Sequence, residues 1–241
     1  MGTLKNKEII IKSSNEFPCS YVEGRTEKRI FVNIPLNPKI REKVVSELTR
    51  KGFRRNYNHM YIPTCKSCSS CISLRININN FMLSKSNKRN LKVNDDLFLI
   101  DNKTFNTRRF ELFKKYCELR HQRGQMKYMS ELEYINFFHK NKNKTIIYDL
   151  VDKNKKLFGS ILLDVLDDGY SAVYSFFDPI LKKRGLGKNI ILKTIQKLKE
   201  TKNNFLYLGY WIKESKSMNY KSSFSNVEYY INGSWEKIYK F

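Results

Sequence analysis

The sequence predicts an α+β protein in two parts, and three observations carry that reading. Helix-like and strand-like patterns alternate along the 241 residues. The first part, residues 1–100, carries a run of cysteines, whereas the second, residues 101–241, carries a glycine-containing basic loop among strands. Hydrophobic residues make up 41% and aromatics 14%, which at this length is enough to bury a real core and excludes a disordered chain.

In the first part, residues 30–34 (IFVNI) read as a strand closed by Pro35 and Pro38. Residues 39–51 place Ile40, Val44, Val45 and Leu48 on one helical face, with Gly52 in the usual position to end the helix. Residues 75–81 alternate Ile76 and Ile78 with Asn77 and Asn79, a half-buried strand. In the second part, residues 105–123 read as a basic amphipathic helix stopped by Gly124. A second helix over 130–140 opens with Ser130 and Glu133 in the capping-box spacing. Strands follow at 145–151, 157–165 and 170–177, with Asp152–Lys156 and Asp167-Asp168-Gly169 as turns. A helix over 188–200 and a strand over 205–211 complete the pattern.

Lysine and arginine outnumber acidic residues 46 to 23, a net charge of +23. An excess of this size makes a polyanion the first partner to consider, because phosphate contacts supply most non-specific nucleic-acid affinity. The chain is also crowded with Lys, Asn and Ile, so codon bias toward AT alone would place many lysines on solvated faces. No apolar run approaches the ~18 residues of a membrane span. The first ten residues, MGTLKNKEII, hold charge and no signal-peptide core. The expectation is a cytoplasmic protein with no membrane or DNA partner.

The order helix–helix–three strands–basic glycine loop–helix–strand matches an acetyltransferase-like core. In such a core the loop opens a helix whose N-terminal amides hold a phosphate group. Lys182-Lys183-Arg184-Gly185-Leu186-Gly187 has that spacing, although paired glycines before helices also serve as ordinary turns. Five cysteines without a secretory signal argue against a disulfide framework. Cys65, Cys68 and Cys71 stand at tandem two-residue spacing, which lets thiolates converge on zinc or an iron–sulfur cluster, with Cys19, or less readily His59, as the fourth ligand. The alternative is a loop packed with small reduced thiols. Cys117, inside a helix, reads as core.

Tyr61, Pro63, Cys65, Cys68, Cys71 and Arg75 resemble the Tyr-x-Pro-x-Cys-x-x-Cys-x-x-Cys-x-x-x-Arg segment of arginyl-tRNA–protein transferases and their bacterial leucyl-transferring relatives. Phe81, Ser84, Ser86 and Arg89 are similar to that family's Phe-x-x-Ser-x-Ser-x-x-Arg stretch, and residues 171–179 to its signature strand and turn. Residues 207–212, with Ser215, Met218, Tyr220, Lys221 and Phe224, resemble its C-terminal block, and Pro18-Cys19-Ser20-Tyr21 its N-terminal end. The likeness runs in order over residues 17–230. Ser73 stands where many relatives have Pro, and Asn87 where Gln is usual.

The resemblance implies a Cys-bearing N-terminal domain and an acetyltransferase-like C-terminal domain. It also implies transfer of an amino acid from aminoacyl-tRNA to protein N-termini, which creates an N-end rule degradation signal. The short, bacterial-looking form resembles the branch that adds Leu to N-terminal Asp or Glu; longer members add Arg. The ester of a charged tRNA is already activated, so no cofactor is needed for the chemistry. Positioning, amine deprotonation and oxyanion stabilisation remain.

Asp178 and Tyr174 are the catalytic candidates, Asp178 to hold or deprotonate the amine, although Asp178-Pro179 also reads as a turn. Tyr174, Tyr210 and Trp211 are candidates to stack on the terminal adenine or line the amino-acid pocket, against core packing. Arg75, Arg120 and Lys221 are candidates for the acceptor's carboxylate. Lys182, Lys183, Arg184, Gly185, Gly187 and Lys188 are assigned to the donor's phosphates, and Lys85, Lys88 and Arg89 to tRNA backbone or a solvated loop. His121 as a base has no visible partner. Two rival functions stay open: a CoA-dependent N-acetyltransferase and a non-catalytic RNA-binding protein with a metal knuckle.

Overall fold

A computed structural model describes residues 10–121, 124–201, 203–215 and 218–237. The first part contributes β1 (Ile11–Ser13), β2 (Phe17–Pro18), β3 (Thr26–Glu27), β4 (Arg29–Asn33), α1 (Pro38–Arg50), β5 (Arg54–Asn56), β6 (His59–Pro63), β7 (Ile72–Asn77) and α2 (Lys85–Val93). Then come β8 (Phe98–Asp101), α3 (Thr107–Arg120), α4 (Glu131–Phe138), β9 (Thr145–Val151), β10 (Leu157–Val165) and β11 (Gly169–Phe177). The chain closes with α5 (Leu186–Leu198), β12 (Phe205–Trp211), β13 (Val227–Ile231) and β14 (Ser234–Glu236).

Local chemistry sets the helix ends. Pro38 opens α1 behind the Asn37 cap, whose side chain accepts from the Lys39 and Ile40 amides. Ser130 and Glu133 form the expected capping box on α4. The expected end of α3 at Arg123 lies outside the described residues. The expected strand over 75–81 is displaced to Ile72–Asn77. There the Asn80 amide donates to Asn77 Oδ1 and Ile78 N–H to Asn204 O, turning the chain out of the sheet.

An eight-stranded mixed sheet runs β14-β13-β7-β12-β11-β10-β9-β8, beside a four-stranded sheet β1-β4-β6-β5. Two strands from before residue 102, β7 and β8, belong to the large sheet and α2 packs on α5, so the sheet straddles the expected boundary at residue 100. Alternation along the strands feeds both of its faces. Ile161, Leu163 and Leu150 pack with Ile190, Ile191 and Ile195 of α5. Ile147, Leu162 and Phe176 pack with Phe113 of α3 and Phe138 of α4. The smaller sheet is anchored by the buried pair Arg55 Nε–Asp164 Oδ2, 2.7 Å, and by Ser73 Oγ donating to Gly52 O. No helix among the described residues is long and apolar enough to cross a membrane.

Candidate active site

The strands β11 and β12 pair in parallel only from Gly169–Ser171 with Phe205–Tyr207. Beyond Ser171 no further pairing joins them. Arg54, projecting from β5, donates from Nη2 to Ala172 O at 3.0 Å and Val173 O at 3.1 Å, taking carbonyls that a continued ladder would have used. Gly209 makes the room for it. With φ +72° and an ideal Cβ only 1.8 Å from Arg54 Nη1, this position admits no side chain. Beside this wedge lies a cavity of about 300 Å³, the scale of a small-ligand site. Met126, Ile191, Leu208 and Met218 give it apolar walls; Tyr21, His121, Tyr174 and Lys221 bring polar groups. No carboxylate is among the described residues that line it.

The Lys221 amine donates to Leu208 O at 3.0 Å and Tyr210 O at 2.7 Å. Burial, with Arg54's charge adding, pulls this ammonium down to about 7. His121 is also held below its ordinary value by burial and then by Arg120, and its Nε2 lies 3.2 Å from the Tyr116 hydroxyl. Burial raises the Tyr174 phenol well above its usual value; its oxygen is 3.6 Å from Cys117 Sγ. Its ring packs edge-on against Phe113, Phe137 and Phe138. Tyr174 is therefore a wall of the cavity backed by core.

The chain matches the family described as "Arginine-tRNA-protein transferase, N terminus" over residues 17–89 and its C-terminal counterpart over residues 108–231. The chain belongs to the arginine-tRNA-protein transferase family. It is 34% identical to the aspartate/glutamate leucyltransferase of Saccharophagus degradans, covering 95% of this chain and 96% of that one. It is 38% identical to the aspartate/glutamate leucyltransferase of Nitrosococcus oceani, over 90% and 91%. The solved structure of L-PGS from Bacillus licheniformis overlaps 59% of this chain and 47% of its own at a TM-score of 0.45 and 12% identity. The resemblance read over residues 17–230 is thus borne out by family matches and by full-length relatives.

The structure divides the transferase's expected site residues. Lys221 and Tyr174 line the cavity; several others do not. The Asp178 carboxylate accepts from Lys115 Nζ at 2.9 Å and from the Ile180 amide at 3.2 Å, so it closes the turn after β11 and lies outside the cavity lining. Tyr210 and Trp211 are each 4% exposed on the central strand β12, with Tyr210 donating to Tyr61 O and Trp211 edge-on to Tyr229. Neither offers a face to a base. Arg75 is consumed by Glu228 at 2.7 Å, by the Tyr207 hydroxyl and by the Phe205 ring, which leaves it structural.

Arg120 is exposed at the end of α3 and outside the cavity lining. In the glycine loop Arg184 is tied to Asp96 and to Asn94 Oδ1, while Lys182 and Lys183 are exposed. Gly185, at φ +58°, is the cap that lets the Lys182–Arg184 turn enter α5. A Cβ on Gly187 would lie 2.6 Å from Phe177 Cε1, so this glycine permits close helix–strand packing. Sequence reasoning missed Arg54, Tyr21 and Met126. Arg54 is one basic residue among 46, and only the crossing of two sheets gives it a role.

Among the described residues nothing supports the metal ligand set that the cysteine spacing suggested. Cys19, Cys65 and Cys68 all lie near enough to raise the Cys71 thiol, which burial first pushes up, to about 12. Hydrogen bonds at Ser70, then Arg25, lower Cys68, whose Sγ accepts from Arg25 Nη1 at 3.2 Å. Cys68 Sγ thus has the Arg25 guanidinium as a partner. Among the described residues no group of three or more His, Cys, Asp or Glu could hold a metal ion.

Proposed function

We propose that this transferase moves leucine from leucyl-tRNA to the N-terminal Asp or Glu of acceptor proteins in the cytoplasm. The observation that carries the reading is the cavity at the β11–β12 separation, which combines apolar walls with Arg54 and Lys221 and no lining carboxylate. Met126, Ile191, Leu208 and Met218 suit a leucyl side chain, whose burial is favourable by about 1.5–3 kcal/mol. An arginyl side chain would ask for a carboxylate partner there. The fixed charge of Arg54 favours an acidic acceptor residue. The names of the relatives, aspartate/glutamate leucyltransferase, support the same pairing.

The remaining parts fall into place around this cavity. The antiparallel run β9–β10–β11, the glycine loop, α5 and the parallel strand β12 make an acetyltransferase-like arrangement in which acetyl-CoA's place is taken by the aminoacyl end of tRNA. Ile191 puts the second turn of α5 at the cavity wall. Lys182 and Lys183 are exposed just before that helix, which supports a role for them in meeting donor phosphates. The protein's own contribution is to hold ester and amine together out of water and to manage one proton.

The test presents leucyl-, arginyl- and phenylalanyl-tRNA to peptides beginning with Asp, Glu, Arg or Lys. Leucine should appear on the Asp and Glu peptides only. Arginine transferred at an equal or higher rate would overturn the donor assignment, and acetyl transfer from acetyl-CoA without any tRNA-dependent product would overturn the reaction class.

A further inference from the structure

We infer that Lys221 is the catalytic residue that takes the proton from the acceptor's α-ammonium. The inference rests on the transfer reading above and adds the group that performs its proton step.

A neutral amine has two N–H bonds and one lone pair. Two backbone carbonyls of β12, Leu208 O and Tyr210 O, accept from the Lys221 amine. They account for both N–H bonds of the neutral form, and the lone pair is left as the third tetrahedral direction. Among the described residues the amine has no third partner, and Lys221 lines the cavity. Gaining a proton converts that lone pair into a third donor without disturbing either carbonyl contact. The anchor is therefore the same in both protonation states.

The environment makes the neutral form available. Arg54 faces the amine from β5, and Tyr21, His121, Tyr174 and Tyr220 are the other titratable groups around the cavity. None of these supplies a negative charge near neutral pH: burial raises the phenols of Tyr21, Tyr174 and Tyr220, and His121 is held below its ordinary value. With the ammonium brought to about 7, Lys221 is close to the α-ammonium it must serve, at about 7.7–8.0. Asp178 is paired with Lys115 outside the cavity lining; His121 lines the cavity with its Nε2 at the Tyr116 hydroxyl, and burial holds it below its ordinary value, so it is the weaker base of the two.

The step balances as follows. Neutral Lys221 accepts one proton from the acceptor's ammonium. The freed amine attacks the leucyl ester carbon, the C–N bond forms, and the C–O bond to the ribose breaks. The second proton on that nitrogen passes to the departing ribose oxygen. Lys221 then releases its proton to solvent, the one proton the overall reaction liberates.

The experiment measures kcat/KM for an Asp-starting peptide against pH, for the natural protein and for Lys221→Met and Lys221→Arg, with Tm and leucyl-tRNA affinity recorded alongside. The natural protein should lose activity below a pH of about 7. The variants must wait for the acceptor's α-ammonium to lose its proton by itself, at about 7.7–8.0. Their deficit should be roughly tenfold near pH 6–7 and should shrink toward parity by about pH 9, with tRNA affinity retained. A deficit constant across pH, or an unchanged profile, overturns the assignment. Should neither variant fold, trace acylation of the natural protein decides it. Lys221 labelling with a midpoint near 7 supports the proposal, and one near 10 overturns it. If the natural protein transfers no leucine at all, the functional reading fails; transfer with unaltered variants removes Lys221 alone.

Discussion

Cys68 and Cys71 stand three residues apart yet meet opposite surroundings. Hydrogen bonds at Ser70 and the Arg25 guanidinium favour the Cys68 thiolate, while burial and the neighbouring Glu27 disfavour that of Cys71. Iodoacetamide near neutral pH should therefore label Cys68 well before Cys71, as peptide mass mapping would read out; equal labelling would contradict the electrostatic difference. Spacing made the three thiols of residues 65–71 look alike, because it reports reach and says nothing of which sulfur a guanidinium covers. The same limit applies to Tyr210 and Trp211. Their residue types suit base stacking, but they sit on a strand covered on both faces. In the sequence Lys221 is a candidate cation for the acceptor's carboxylate, and the structure brings it to the cavity. Its weak basicity was not legible there, since that follows from burial and from Arg54, far earlier in the chain.

At the scale of elements, the strands β9 to β12 were legible nearly to the residue, because sheets buried on both faces demand near-continuous apolar runs. The helix α2 was not. Its bonds to α5 and the turn before it are polar, mostly amides: Asn90 Nδ2 donates to Gly185 O, Asn94 Nδ2 to Arg184 O, Asn189 Nδ2 to Asn90 Oδ1, and Lys188 Nζ to Ser86 Oγ. Without an apolar stripe, periodicity had nothing to detect. The separation of β11 from β12 was equally hidden, since it depends on an arginine entering from another sheet. Gly209→Ala tests that device. A left-handed Ala costs about 1–2 kcal/mol by itself, and its methyl would displace the Arg54 guanidinium. We expect a lower Tm and loss of leucine transfer, with Gly209→Ala/Arg54→Ala regaining stability and not activity. Full activity in Gly209→Ala would show that the wedge is dispensable.

For the whole molecule, the joint between the two sheets rests on an ion pair shielded from water. Arg55 and Asp164 side chains are 1% and 2% exposed, so removing one partner strands the other. Arg55→Met should cost about 3–5 kcal/mol in urea unfolding, whereas replacing both residues with apolar ones of similar size should cost far less. A single-variant loss below about 1 kcal/mol would mean that solvent reaches the pair. The large sheet also crosses the line that composition drew at residue 100. Cysteines and helix texture change there, but hydrogen-bonding partners do not respect the change.

That crossing has a consequence for how the protein is made. β7 leaves the ribosome early, yet its two ladder neighbours, β12 and β13, belong to the last fifth of the chain. Until they arrive, Leu74 and Ile76 have nowhere dry to go, and closing so long a loop is slow. Nascent fragments ending before β12 should therefore be sticky clients for chaperones, and cutting the gene between its two family segments should yield halves that become soluble only when they are synthesised together.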